Sequence, residues 1–195
     1  SGGALQATGS TTVTINGAND APVNALPANA YTALDTAKTF STANGNALQI
    51  SDVDAAGGPV QFTLTAMQGT LSLATTAGLT LAAGSPGTAS FTYTGTVSAI
   101  NTALGSGVTF TPTSGYRGLA TLTLQTSDLG NSGSGGTLTD SDTLNLHVGA
   151  IVVTTTSDAG NGTVTSIANL VANDGGDGIS LREAILAANN TANGA

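Results

Sequence analysis

The chain has no cysteine, no tryptophan and only three residues of fixed positive charge, Lys38, Arg117 and Arg182. Without cysteine there are no disulfides, no thiolate metal sites and no cysteine nucleophile. An exported chain of this kind needs another source of rigidity, and bound Ca2+ is one. Three cations against eleven acidic side chains leave a net charge of -8. No basic stripe is available to neutralise phosphates, which excludes nucleic acid as a partner and argues against anionic membrane surfaces. No apolar run approaches the roughly 18 residues of a membrane-spanning helix, so no membrane insertion is expected. The first residues show neither the basic nor the apolar region of a signal peptide. Both ends read as cut: Ser1 begins inside a Gly/Ser/Thr stretch, and Ala195 stops just after a predicted helix. Three Tyr and four Phe are too few for a platform of sugar-stacking rings.

Thr, Ser, Asn, Ala and Gly replace the missing charge. Thr suits strands, whereas Gly and Asn suit the turns between them. Three segments follow. In residues 1–20, Thr11 to Ile15 alternates polar and apolar as one strand. Asn16 to Pro22 reads as a linker, because Pro22 cannot continue a central strand. Residues 21–149 carry paired apolar positions at strand spacing: Leu48/Ile50, Val60/Phe62/Leu64, Leu71/Leu73, Leu79/Leu81, Phe91/Tyr93, Val108/Phe110, Leu122/Leu124 and Leu144/Leu146/Val148. Short alternating strands with frequent turn signals predict an all-β sandwich or barrel. Val97, Ile100 and Leu104 fall at helical spacing and predict a one- to two-turn helix crossing between the sheets. Residues 150–195 predict a strand over Ile151–Thr155, a turn over Asn173–Gly178 and a helix opened by Ser180. Ser180 and Glu183 form a capping box, Leu181, Ala184, Ile185 and Ala188 form the apolar stripe, and Asn189 and Asn190 end the helix.

Several stretches of residues 21–149, with the linker before them, resemble the cadherin-like repeats of large bacterial adhesins. They are Asn19-Asp20-Ala21-Pro22, Ile50-Ser51-Asp52-Val53-Asp54, Gln68-Gly69-Thr70-Leu71, Thr111-Pro112-Thr113 with Tyr116 and Gly118, Thr126-Ser127-Asp128, and Thr139-Asp140-Ser141-Asp142-Thr143. Thr11 to Pro22 is similar to the closing strand of a VCBS-type repeat. Ser180 to Asn189 (SLREAILAAN) resembles the CSLREA segment that precedes right-handed β-helices in secreted bacterial proteins, with Ile179 where that family has cysteine. These resemblances imply a cadherin- or immunoglobulin-like Greek-key sandwich, export to the bacterial cell surface, repeat architecture and adhesion. They also imply that Asn19, Asp20, the Asp52/Asp54 pair and Asp128 are calcium ligands.

The residues themselves support calcium at the same end. Ca2+ takes six to eight oxygen ligands, and Asp52, Asp54, Asp128, Asp140 and Asp142 fall at strand–loop junctions. If strands alternate up and down, these five and Asp20 gather at one end, where their repulsion would raise some pKa values unless a cation intervenes. The competing reading is of solvated turn residues capping local backbone. Asp158 with Asn161, and Asp174 with Asp177, lack the pattern of an EF-hand loop. His147, the one histidine, alternates outward from Leu146 and Val148. No nucleophile elbow accompanies it, so no enzyme is expected. Arg182 reads as structural, paired with a carboxylate or strand carbonyls. Tyr93 reads as core and Tyr116 as a corner residue.

The expected function is a structural, adhesive module of a secreted surface protein, with calcium rigidifying the junction between repeats. Its partners would be neighbouring repeats of the same polypeptide and a cell-surface glycan or protein. Two alternatives stand beside it: a fibre subunit joined head to tail by strand addition, since flanking strands need partners, and a carbohydrate-binding module.

Overall fold

A computed structural model describes residues 17–55, 57–130, 133–149 and 153–192. The strand predicted over Thr11–Ile15 lies outside these residues. Eleven strands and three helices follow in order: β1 (Val23–Ala25), β2 (Ala30–Thr32), β3 (Lys38–Phe40), β4 (Gln49–Ser51), β5 (Pro59–Met67), β6 (Gly69–Leu73), β7 (Thr80–Gly84), β8 (Ser90–Thr96), α1 (Val97–Ser106), β9 (Val108–Pro112), β10 (Gly118–Ser127), β11 (Thr139–Val148), α2 (Ile167–Ala172) and α3 (Leu181–Ala192). They build a six-stranded sheet in the order β2-β11-β10-β5-β8-β7, a three-stranded sheet β3-β9-β6 and a small pair β1-β4. All the pairings are antiparallel except β2 against β11.

The architecture is the predicted all-β sandwich. In β5, Val60, Phe62, Leu64 and Ala66 are buried while the residues between them are not. The same alternation in β8, β9, β10 and β11 delivers Phe91, Tyr93, Val108, Phe110, Leu122, Leu124, Leu144, Leu146 and Val148 to one core, joined by Phe40 and Leu71. Each fully buried Phe or Leu contributes about 1.5–3 kcal/mol. The outer face of the large sheet is hydroxyl-rich, with cross-strand pairs Thr63–Thr92 at 2.8 Å, Thr65–Ser90 at 2.9 Å and Thr123–Thr143 at 2.8 Å. Leu81 departs from expectation and is 47% exposed. It sits in the edge strand β7, whose pairing with β8 shifts register between Leu81 and Ala83.

Gln68-Gly69 is where the chain leaves the large sheet for the small one. Gln68 takes a left-handed φ of 65°. A Cβ on Gly69 would press into the Phe110 ring and lie 2.6 Å from the Thr111 carbonyl oxygen. The return crossing is α1, which links β8 to β9 as predicted. The Thr96 hydroxyl caps it by accepting from the Ala99 N–H at 3.2 Å, and Ile100, Ala103 and Leu104 face the core. At ten residues it runs longer than expected, ending at Gly107 with φ 147°. Asn101 on α1 donates to the Ile50 carbonyl at 2.8 Å and accepts the Ile50 N–H at 2.9 Å. One side-chain amide thus completes the outer edge of β4.

The third segment differs most from its prediction. Of the strand expected over Ile151–Thr155, the first two positions lie outside the described residues, and Val153, Thr154 and Thr155 form no strand. Thr154 instead brackets Ile179. It donates its N–H to the Ile179 carbonyl at 2.9 Å and accepts the Ile179 N–H on its hydroxyl at 2.8 Å. These bonds occupy the backbone of both residues locally, so no ladder forms. A helix that was not predicted, α2, follows. The Ser166 hydroxyl caps it by accepting from the Asn169 N–H at 3.1 Å.

The capping box at Ser180 is present. The Glu183 carboxylate accepts the Ser180 N–H at 3.0 Å, and the Ser180 hydroxyl accepts the Glu183 N–H at 3.3 Å. The helix continues to Ala192, past Asn189 and Asn190. Its buried face is Glu183, Ala184 and Ala187, whereas Leu181 and Ile185 are 62% and 52% exposed. The predicted stripe is therefore rotated. Ala184 and Ala187 pack with Leu170, Ile179 and Val164 in a small core separate from the sandwich.

Candidate functional site

The linker enters the sandwich at the end where β4 and β10 finish. Asn19 and Asp20 bond to different loops at that end. The Asn19 side chain is about nine-tenths buried, and its amide nitrogen donates to the Asp128 carboxylate and to the Gly136 carbonyl, the latter at 2.7 Å. The Asp20 N–H donates to Asp54 Oδ2 at 3.0 Å. Asp54 is tied to Asp52, whose Oδ1 accepts the N–H groups of Asp54 at 3.2 Å and Ala55 at 3.0 Å. The strand-ending Asp-x-Asp of β4 thus forms a local turn and holds the linker. The loop after β10 holds the linker from the other side: Asn19 N–H donates to the Ser134 carbonyl at 3.0 Å, and Ser134 N–H to the Gly17 carbonyl at 2.9 Å.

Asp128 braces that loop. Its Oδ1 accepts the N–H groups of Gly130 at 2.8 Å and Leu138 at 2.9 Å, across a turn in which Leu129 takes a left-handed φ of 60°. Burial alone would raise the Asp128 pKa, but the Gly130 and Leu138 N–H groups and the Asn19 amide outweigh it and hold the carboxyl below its ordinary value. Asp52 goes the other way. Burial, then the neighbouring Asp54, push its carboxyl up.

Three oxygen atoms here, Asn19 Oδ1, Asp52 Oδ2 and Asp54 Oδ1, are buried without a hydrogen-bond partner in the protein. All three are acceptors, and an unpaired buried acceptor is costly. Neutral and anionic oxygens without a donor suit a hard cation such as Ca2+. Among the described residues, no three His, Asp or Glu side chains come together as a metal-holding group. The unpaired set has two carboxylates and one amide oxygen.

The remaining predicted ligands sit elsewhere. Asp140 uses both carboxylate oxygens on backbone, accepting the Asn24 N–H at 2.7 Å and the Ser141 N–H at 2.8 Å. Asp142 is exposed, opposite Leu124, and a strand rise of about 3.4 Å per residue carries it roughly 7 Å beyond Asp140. The sequence reading missed Asn24, which is buried, donates to the Leu124 carbonyl at 3.2 Å and accepts the Thr126 hydroxyl at 2.6 Å. An Asn at an apolar strand position two residues after Pro22 was its signal.

No protein-family model and no curated protein matches this sequence. Among solved structures, the chain is similar to a cohesin module from a Clostridium perfringens family 33 glycoside hydrolase, with TM-score 0.35 and 12% identity over 66% of this chain and 98% of that one. It is also similar to the C-terminal domain of the Streptococcus agalactiae AgI/II polypeptide BspA, with TM-score 0.30 and 8% identity over 65% of this chain and 50% of that one. Likenesses this remote carry no argument about function.

Other singled-out residues have structural partners. His147 is half-buried and stacks on Tyr31, with ring centroids 5.1 Å apart and planes 19° from parallel. Arg182 pairs with Asp158 through two hydrogen bonds, one of 2.9 Å. The Tyr116 hydroxyl donates to the Leu119 carbonyl at 2.6 Å, turning the corner into β10. Asp174 accepts the Gly176 N–H at 2.9 Å in its own turn. No described helix is long and apolar enough to cross a membrane.

Proposed function

We propose that the chain is a structural, adhesive module of an extracellular bacterial surface protein, and that a calcium ion at the linker end stiffens its junction with a preceding repeat. The observation that carries this reading is the set of three unpaired buried oxygens on Asn19, Asp52 and Asp54. They come from the linker and from the end of β4, so a cation shared between them would restrain the linker against the sandwich. Asp54 and Asp128 already hold that linker through hydrogen bonds from Asp20 and Asn19. Asp140 and Asp142 have no part in the proposed site.

Calcium binding to the folded chain alone raises stability by about 2.7 kcal/mol at a hundredfold excess over the dissociation constant. The expected result is a higher Tm with Ca2+, reversed by chelator and abolished in Asp52→Ala. An unchanged Tm on chelation would mean that water, not a cation, satisfies these oxygens, and would remove calcium from the proposal.

One observation favours a second reading, strand addition between copies. Edge strand β7 is exposed along its whole length, and an open edge is a template for pairing. Light scattering across a concentration series tests it, and a strictly monomeric chain at high concentration would remove it.

A further inference from the structure

A second feature lies away from the linker end, where the edges of the two sheets meet. β2 is the edge of the six-stranded sheet and β3 the edge of the three-stranded one. Between them opens a cleft of about 440 Å3, within the roughly 300–1,000 Å3 range of small-ligand sites. The buried Phe40 and Ala30 line it together with Gly45, Asn46 and Val171 of α2. Alternation in β2 buries Ala30 and Thr32 and turns Tyr31 outward. The Tyr31 ring is 38% exposed at the mouth, and His147, its register partner on β11, stacks against it and fixes its plane.

The charge of the cleft is opposite to that of the chain. No Asp or Glu lines it, although the chain has eleven. Lys38, the one lysine, does line it, and its ammonium makes no ion pair among the described residues. Arg182 is engaged with Asp158, and Arg117 lines a separate cavity. Lys38 is thus the one charged side chain among the residues that line the cleft, in a chain whose net charge is -8.

We propose that this cleft binds a carboxylated saccharide, a sugar of the uronic acid type, with the Lys38 ammonium on the carboxylate, the Tyr31 ring against the sugar face and the Asn29 amide near its hydroxyls, while the Asn46 amide stays engaged with the Ser41 N–H and the Thr39 carbonyl. An extended acidic peptide fits less well. β2 and β3 are three residues each, so an added strand would gain few backbone hydrogen bonds. The site is one ring and one ammonium, not a platform of stacked rings. The proposal is independent of calcium at the linker end.

The test is a titration of the 15N-labelled chain with trigalacturonate, in chelator and again in Ca2+, beside its methyl ester, which keeps the shape and removes the charge. Saturable shifts at the Tyr31, Lys38 and Gly45 amides are expected, with affinity reduced on the order of tenfold or more by the ester or by Lys38→Met, the scale of a lost charge-assisted hydrogen bond. Val171→Trp, which fills the cleft from α2 without touching the charge, should also abolish binding. It keeps the test decisive if Lys38→Met fails to fold. Absence of saturable shifts, equal binding of acid and ester, or unimpaired binding by Val171→Trp would overturn the proposal. Equally tight binding of an oligoaspartate would overturn the sugar assignment.

Discussion

Asp52 and Asp128 sit at one end of the sandwich with opposite titration behaviour, and the difference lies in their partners. Asp128 receives N–H donors, and its lowered pKa means that it stabilises the fold above its ordinary value of 3.8 and loses that contribution as pH falls through the folded value. Asp52 is half-buried beside another carboxylate, and its raised pKa has the reverse sign. Its contribution is full below 3.8 and is lost as pH rises through the folded value. Asp52→Asn should therefore raise the Tm of the chelated chain at neutral pH while removing any gain from Ca2+. Asp128→Asn should lower stability at neutral pH and lose that effect in strong acid, where the wild-type carboxyl is protonated as well. Paired thermal melts across pH check both. Gly69→Ala should cost about 1–3 kcal/mol in denaturant unfolding, the range for overpacking, because the Phe110 ring and Thr111 backbone leave no room for a Cβ. The Asp-x-Asp of β4 was legible as a turn-forming pair, since such residues bond their own backbone. That Asp140 would hold the Asn24 N–H was not, because it depends on where β1 lies against β11.

At the scale of the element, helices and strands differed in how openly they announced themselves. α1 was visible because Val97, Ile100 and Leu104 recur at helical spacing. α2 carried a comparable signal, Ser166 ahead of Ile167, Leu170 and Val171, yet at six residues it falls below the length at which periodicity stands out. α3 was predicted, but its buried face was not. Glu183 decides that face. Its carboxylate accepts the Ser180 N–H and the Gly162 N–H, the latter at 2.6 Å, which lowers its pKa and ties the loop before α2 to the start of α3. A fully buried carboxylate pulls Ala184 and Ala187 inward and leaves Leu181 and Ile185 outside. Glu183→Ala should abolish hydrogen-exchange protection across α2 and α3 while leaving β5 and β10 protected. Loss of protection throughout the chain would show instead that the segment is coupled to the sandwich.

On the scale of the whole molecule, the sandwich is closed by distant partners. β2 pairs in parallel with β11, joining Ala30 to Leu146 and Thr32 to Val148, and Gly17 to Asn19 meets Ser134. Such long-range pairing must form against loop-closure entropy, so refolding is expected on the millisecond-to-second scale of β-sandwiches, measurable by stopped flow. Folding in microseconds would contradict it. The amino-acid sequence by itself determined the strands from β4 to β11, though not β1, β2 or β3, and with them the sandwich class, the crossover helix and the capping box, because each depends on residues near one another in the chain: a period of two, a period of 3.6, or a Ser three residues ahead of a Glu. Only the tertiary structure decided which acids meet. Asn19 reaches Asp128 across 109 positions, and Asp20 reaches Asp54 across 34, while Asp142, with the same local pattern, stays exposed. The cleft at Lys38 likewise depends on which strands became edges. That outcome follows from how the two sheets close on their shared core, and no local pattern encodes it.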